Sequence, residues 1–205
     1  MTTIIADRYG PVAIGAYLFT LRDGGVGLVD TGSDGDAKAI LAALEAAHQT
    51  AADVRAIFVT HWHADHIRGA RAFPAAQLYA LEADVDEIAR HGIRVTRGLT
   101  DGERLDISGT PVEVFAIPGH TPGSAAFLIH GVLFVGDSAG AAYNGTFQPN
   151  TMLGSDPRQT VRSLHTLIAR LRSRRAEIRH VAFGHQGPLV GFDPMLTWES
   201  TAVTK

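Results

Sequence analysis

Val59-Thr60-His61-Trp62-His63-Ala64-Asp65-His66 places three imidazoles and a carboxylate within six residues, directly after the apolar run Ala56-Ile57-Phe58-Val59. Alternate residues of an extended segment project to the same side. His61 and His63 can therefore grip one ion together, while Asp65 and His66, one turn further on, swing towards a second. As a purely structural cluster these side chains would leave several imidazole nitrogens competing for too few partners. The density predicts a metal centre built on histidine and carboxylate.

Upstream, residues 12–30 read as a β-hairpin, two apolar runs separated by Arg22-Asp23-Gly24-Gly25 and ending in the polar turn Asp30-Thr31-Gly32-Ser33. Ala37, Ile40, Leu41, Leu44 and Ala47 recur at helical spacing, which predicts a helix from Asp34 or Asp36 to about His48. Residues 54–59 form the strand that feeds the histidine motif. Downstream, residues 67–73 read as a short helix stopped by Pro74, residues 77–80 as a strand and residues 81–91 as an acidic helix. Residues 92–109 have no firm period, and Arg94, Arg97 and Arg104 read there as solvated side chains.

The second half begins again with strands. Residues 112–117 lead into Pro118-Gly119-His120-Thr121-Pro122-Gly123-Ser124, and residues 125–135 form a hairpin about His130-Gly131 that runs into Gly136-Asp137-Ser138. Residues 138–154 read as a binding loop, too irregular for an element and too long for a simple connection. Ser155-Asp156-Pro157 is a helix start, continued by Val161, Leu164, Leu167, Ile168 and Leu171. Its Arg170, Arg172, Arg174 and Arg175 read as a solvated face. Residues 178–183 are the last strand and deliver Gly184-His185. The tail, with Phe192, Met195, Leu196 and Trp198, reads as a packing cover. Five strands are thus each followed at once by a polar residue able to hold or support a metal: Asp30, His61, His120, Asp137 and His185. Sheets covered by helices bind ligands beyond their strand ends, so these five points are expected to converge on one edge.

Composition bounds the chemistry. At 205 residues and 45% apolar content, the chain suits one domain, residues 1–205, made of two similar halves at roughly 1–105 and 106–205. A net charge of -3, with two lysines, argues against nucleic acid as partner. Without cysteine, thiol catalysis, disulfides and Cys-ligated zinc are excluded in this chain. The first eight residues lack a basic segment leading into a long apolar one, and no apolar run reaches about 18 residues. A cytoplasmic protein acting on a small molecule, without a membrane partner, is the expectation. Its oligomeric state is open, a homodimer being one option.

The set His61-Trp62-His63-Ala64-Asp65-His66, Pro118-Gly119-His120-Thr121-Pro122-Gly123-Ser124, Gly136-Asp137 and Gly184-His185 resembles the metallo-β-lactamase superfamily in its glyoxalase II-like branch. That resemblance implies an α/β fold, an αββα sandwich of two mixed β-sheets flanked by helices, with a site on one edge. It implies that His61, His63 and His120 hold one metal, that Asp65, His66 and His185 hold a second, and that Asp137 bridges both. Asp30 would be a supporting residue behind the ligands. All seven are N or O ligands that zinc, iron and manganese accept, with two zinc ions the first expectation. Two such cations about 3.5–4 Å apart can share a hydroxide, a nucleophile at neutral pH.

The resulting expectation is a dinuclear metal-dependent hydrolase that cleaves an ester, thioester or lactone with a metal-bound hydroxide, Asp65 orienting the nucleophile. The alternative is a mononuclear iron persulfide dioxygenase holding its iron on His61, His120 and Asp137, although the loop after Asp137 lacks the Gly-Arg-Thr-Asp-Phe stretch associated with that group. A β-lactamase is the weaker alternative, because the bridging Asp137 points away from it. Trp62, Tyr143, Tyr17, Phe147 and Met152 are the candidates for a substrate pocket, and each is also an ordinary packing residue.

Overall fold

The computed structural model describes the backbone of residues 2–9 and 12–202, and side chains within 13–201. A first six-stranded sheet has the order β1 (Thr2–Tyr9), β2 (Val12–Thr20), β3 (Val26–Val29), β4 (Val54–Phe58), β5 (Gln77–Leu81) and β6 (Arg97–Leu99). The strands β1, β2 and β3 pair antiparallel, and β3 to β6 pair parallel. The parallel half requires crossovers. They are supplied by α1 (Lys38–Ala46), α2 (Ala64–Ile67) and α3 (Val85–Arg90).

A second sheet is built from β7 (Arg104–Ile107), β8 (Thr110–Ala116), β9 (Ala125–Ile129) and β10 (Val132–Phe134), completed by β13 (His180–Ala182) and β14 (Leu189–Val190). Its parallel pair, β10 with β13, is bridged by α4 (Pro157–Leu171). The last helix is α5 (Asp193–Ala202). Both sheets are mixed, and the arrangement is an αββα sandwich.

Three apolar layers hold it. Between the sheets, Tyr17, Phe19, Phe58 and Tyr79 meet Val112, Val114, Phe127 and Phe134. Phe58 stacks on Tyr79 at 5.0 Å and meets Phe127 of the other sheet at 5.2 Å. On the outer face of the first sheet Ile40, Leu44 and Ile88 of α1 and α3 pack on Leu28, Ile57 and Leu78. On the outer face of the second, Leu164, Leu167, Ile168 and Leu171 of α4 cover Ala126, Leu128 and Val181, with Phe192 and Met195 beside them. Each such fully buried side chain contributes about 1.5–3 kcal/mol relative to exposure. The spacing that predicted α4 is the spacing of this buried stripe. Asp156 caps the helix, its side chain accepting from Gln159 N at 2.9 Å, with Pro157 in the first turn.

Several sequence expectations need correction. Residues 92–109 contain β6 and β7, strands of three and four residues, too short to show a period. Arg97 and Arg104 pair there with Glu103 and Glu113. Residues 138–154 contain a two-stranded hairpin, β11 (Ala139–Ala141) with β12 (Phe147–Pro149). The arginines near the end of α4 lie at the surface as expected, and three of them are also paired: Arg170 with Asp101, Arg172 with Glu199, and Arg174 with Glu113 and Glu177. Residues 81–91 divide, Leu81 ending β5 and the α-helix starting at Val85. No helix among the described residues is long and apolar enough to cross a membrane.

Candidate metal centre

The strand ends meet at one edge because the parallel register brings them there. Val29 lies opposite Phe58, and Asp30 N donates to Phe58 O at 2.9 Å, so the residues after β3 and β4 leave the sheet together. From the second sheet β10 and β13 run parallel in register, delivering Asp137 and His185 to the same edge. Gly184 permits this closeness, since a Cβ there would lie 2.1 Å from Asp137 Oδ1 and 2.6 Å from His66 Cε1.

Two groups of donors result. His61 Nε2 and His120 Nε2 each approach His63 Nδ1 to 3.0 Å. His66 Nε2 and His185 Nε2 lie 3.7 and 3.5 Å from Asp65 Oδ2. Asp137 stands between the groups. Its Oδ2 is 2.9 Å from His185 Nε2 and 3.8 Å from His120 Nε2, and its Oδ1 is 3.5 Å from His66 Nε2. The structure thus brings together all seven side chains singled out from the sequence.

The outer nitrogens fix the tautomers. His61 Nδ1 bonds Thr60 Oγ1 at 3.1 Å, His120 Nδ1 donates to Leu153 O at 2.5 Å, and His185 Nδ1 to Ala13 O at 3.0 Å. His66 Nδ1 donates to Asp30 Oδ2 at 2.9 Å. His61 and His120 therefore turn Nε2 inward as a lone pair and His63 turns Nδ1 inward, while His66 and His185 present Nε2 to the carboxylates of Asp65 and Asp137. Three lone pairs about 3 Å apart repel one another unless a proton or a cation sits among them. A tetrahedral zinc with bonds of about 2.0–2.1 Å would hold its nitrogens about 3.4 Å apart, close to the spacing seen. His66 Nε2 and Asp137 Oδ1 are buried without a hydrogen-bond partner, as ligand atoms awaiting an ion would be. The donor set fits two divalent cations of the zinc, iron or manganese kind.

Electrostatics divide the two groups. Burial, reinforced by neighbouring imidazoles, holds His61 well below the ordinary histidine range and His63 down to about 4; burial likewise lowers His120. Burial opposes the cation at His66 too, yet the carboxylates of Asp137 and Asp30 outweigh it and raise this histidine well above its ordinary value. His185 is raised by its bond to Asp137 against a similar burial effect. Burial would push Asp137 up, but His66 and His185 hold it well below the usual carboxylate range. These directions favour neutral imidazoles in the first triad and protonated His66 and His185 in the second, so that a cation at the second competes with protons.

Asp30 is buried at φ 55° and accepts from Thr60 N at 2.8 Å, Thr60 Oγ1 at 2.7 Å and His66 Nδ1. Sequence reasoning missed its counterpart, Asp84. This buried carboxylate follows β5 and accepts from Trp62 N at 3.0 Å, Thr121 Oγ1 at 2.7 Å and Gly123 N at 2.7 Å. It stands at the start of α3, where an acid reads as a helix cap, but its side chain makes no capping bond. The rule of a polar residue directly after a strand points to Glu82 there, so no local signal singled out Asp84.

A cleft of about 920 Å³ opens beside Asp65, Asp137 and His185, walled by Ile14, Ala139, Ala141, Pro149, Met152 and Leu153, with Arg68 and Gln186 also lining it. Of the five pocket candidates only Met152 lines it. Tyr17 is a core residue, its hydroxyl donating to Phe183 O at 2.6 Å. Phe147 is buried against Phe183 and Trp198. Trp62 packs on the outer layer of the first sheet and stacks with His91. Tyr143 is fully exposed at the tip of the β11–β12 hairpin and lies outside the cleft lining.

Known proteins agree with this architecture. A hydroxyacylglutathione hydrolase from Aeromonas hydrophila subsp. hydrophila is 37% identical over 139 residues, 66% of this chain and 50% of that protein. Another from Synechococcus sp. is 34% identical over 165 residues, 72% of this chain and 60% of that protein. The chain spans about half the length of these curated relatives. Among solved structures, a metallo-beta-lactamase from Pontibacter korlensis superposes with a TM-score of 0.76 at 18% identity, covering 98% of this chain and 94% of that one. A metallo-beta-lactamase family protein from Thermus thermophilus gives 0.73 at 22% identity, covering 99% and 79%. These two likenesses speak for the fold alone. With the superfamily pattern matched over residues 9–185, the chain belongs to the metallo-beta-lactamase superfamily.

Proposed function

We propose that the chain is a two-metal hydrolase of a small acyl compound, with a thioester as the first substrate class and an ester or lactone as the others. The observation that carries the reading is the convergence of seven N and O donors with two orphaned ligand atoms at one sheet edge. The hydroxyacylglutathione hydrolases at 34–37% identity support the thioester among these classes. In this reading His61, His63 and His120 hold one cation, Asp65, His66 and His185 the other, and Asp137 lies between them. Bound there, two divalent cations, with zinc the first expectation, would supply Lewis acidity and deprotonate water near neutral pH.

The chain's own groups do the rest. Asp65, the more exposed of the two carboxylates in the set, faces the cleft, where it is placed to orient the attacking nucleophile. Thr60 and Asp30 keep His61 and His66 from rotating. The apolar wall of Ala139, Ala141, Met152 and Leu153 accepts an acyl chain, and its volume suits a small molecule.

Metal quantitation on purified protein, with thioester, lactone, β-lactam and glutathione persulfide substrates offered in parallel, tests the reading. Two divalent ions per chain with thioester or ester turnover, both lost in H63A, is the expected result. One iron per chain with oxygen uptake on the persulfide would overturn it.

A further inference from the structure

The first triad is assembled from two sheets. His61 and His63 lie in the loop after β4, and His120 in the loop between β8 and β9. Neither sheet alone fixes their mutual distance. Asp84, which follows β5 in the first sheet, bonds both loops: Trp62 N between the two histidines, and Thr121 Oγ1 and Gly123 N just after His120. The fit is close, since a Cβ on Gly123 would lie 2.5 Å from Asp84 Cγ. Ser124 Oγ adds a bond to Thr121 N at 2.9 Å and another to Thr121 Oγ1.

We infer that Asp84 is a positioning residue for the first metal site, setting the separation of His61 and His63 from His120 by clamping their two loops to one carboxylate. This rests on the ligand reading above and assigns the geometry of one half of it to a residue that touches neither metal nor substrate. The carboxylate suits the task because it offers acceptors only. Asn at the same place must turn its NH₂ either towards Trp62 N–H or towards Gly123 N–H, and either choice opposes at least one donor.

The test separates the two sites. In an H185A background the intact triad is His61, His63 and His120; in an H63A background it is Asp65, His66 and His185. Metal-free protein of each background is titrated with Co²⁺, read by its visible absorption and by competition with a chromophoric chelator. Adding D84N is expected to weaken binding by about 10–100-fold in the H185A background, the usual effect of removing an outer support of a ligand. In the H63A background a smaller change is expected, because none of Asp84's bonds falls on Asp65, His66 or His185. Equal weakening in both, or none in either, overturns the inference and leaves Asp84 a stabiliser of the fold. Should D84N fail to fold, T121V, which removes one donor and keeps the carboxylate, is read by the same criterion. Wild-type protein that takes up no divalent metal would overturn the ligand reading and this inference together.

Discussion

Replacing Asp30 with Asn tests the architecture behind the second triad at a single atom. Asp30 occupies the left-handed region, at φ 55°, which Asn tolerates better than most residues, so D30N keeps the backbone and exchanges one acceptor for an NH₂. If the amide nitrogen replaces Oδ1, it faces Thr60 N–H. If it replaces Oδ2, it faces His66 Nδ1–H, and the ring can relieve that clash only by giving up the Nδ1 proton and keeping one on Nε2, the nitrogen facing Asp65 and Asp137. Either way a buried donor is stranded, which costs about 1–3 kcal/mol, and the remaining bonds lose their charge assistance, about 1 kcal/mol each. The sum is a loss of about 3–5 kcal/mol in stability of the metal-free protein, the range for breaking a buried ionic pair. Urea denaturation at neutral pH measures it. Metal affinity at the second triad, titrated in the H63A background, should fall by about 10–100-fold. A variant with stability within about 0.5 kcal/mol of the parent and unchanged second-site affinity would refute the reasoning.

Y17F removes a hydroxyl that donates to Phe183 O and accepts from Phe183 N inside the core. It should cost about 1–2 kcal/mol by denaturation and leave KM unchanged, whereas a raised KM would return Tyr17 to the substrate wall. The two triads should also differ in pH dependence. His66 and His185 are raised, so a cation at the second triad displaces protons, and its affinity climbs with pH until those groups are neutral without it. His61, His63 and His120 are lowered, so at neutral pH the first triad binds with less proton release than the second. Calorimetric titration of the H185A and H63A proteins in buffers of different ionisation enthalpy reads the protons released; equal release from both would contradict this.

The seven candidate ligands were legible in the sequence because each is a local signal, a His or Asp close beyond an apolar strand, and parallel registers such as Val29 with Phe58 bring such positions to one edge. The sandwich was legible for the same reason, from strand runs and the buried stripe of α4. The substrate wall was not. Tyr17 and Phe147 have the composition of a pocket lining and of a core alike, and only the position of Phe183 against both decides for the core. Asp84 was hidden by a local alternative, since an acid before a helix has an ordinary explanation as a cap. Its actual partners, Trp62, Thr121 and Gly123, lie 22 to 39 residues away. Signals survive in the sequence when the chemistry is local, and disappear when it depends on which loop folds back on which.

The loop that walls the cleft is anchored to a candidate ligand loop while its side chains stay free to vary. Its backbone is tied to the ligand loop. Leu153 O receives His120 Nδ1, Ser155 N donates to His120 O at 3.1 Å, and Asp156 N donates to Gly119 O at 2.8 Å. Gly154 allows the approach, because a Cβ there would lie 2.9 Å from His120 Cα. Asn150 Oδ1 braces the turn by accepting from Met152 N and Leu153 N. Yet Met152 and Leu153 are 91% and 69% exposed, and their side chains bear none of these bonds. Exchanging them is expected to reshape that wall of the cleft without moving His120, whereas a change in loop length is expected to disturb the bond from His120 Nδ1 to Leu153 O. On the proposed function, the fold would pair a constant metal centre with a variable wall, and exchange of residues 152 and 153 is expected to alter substrate choice more than metal content.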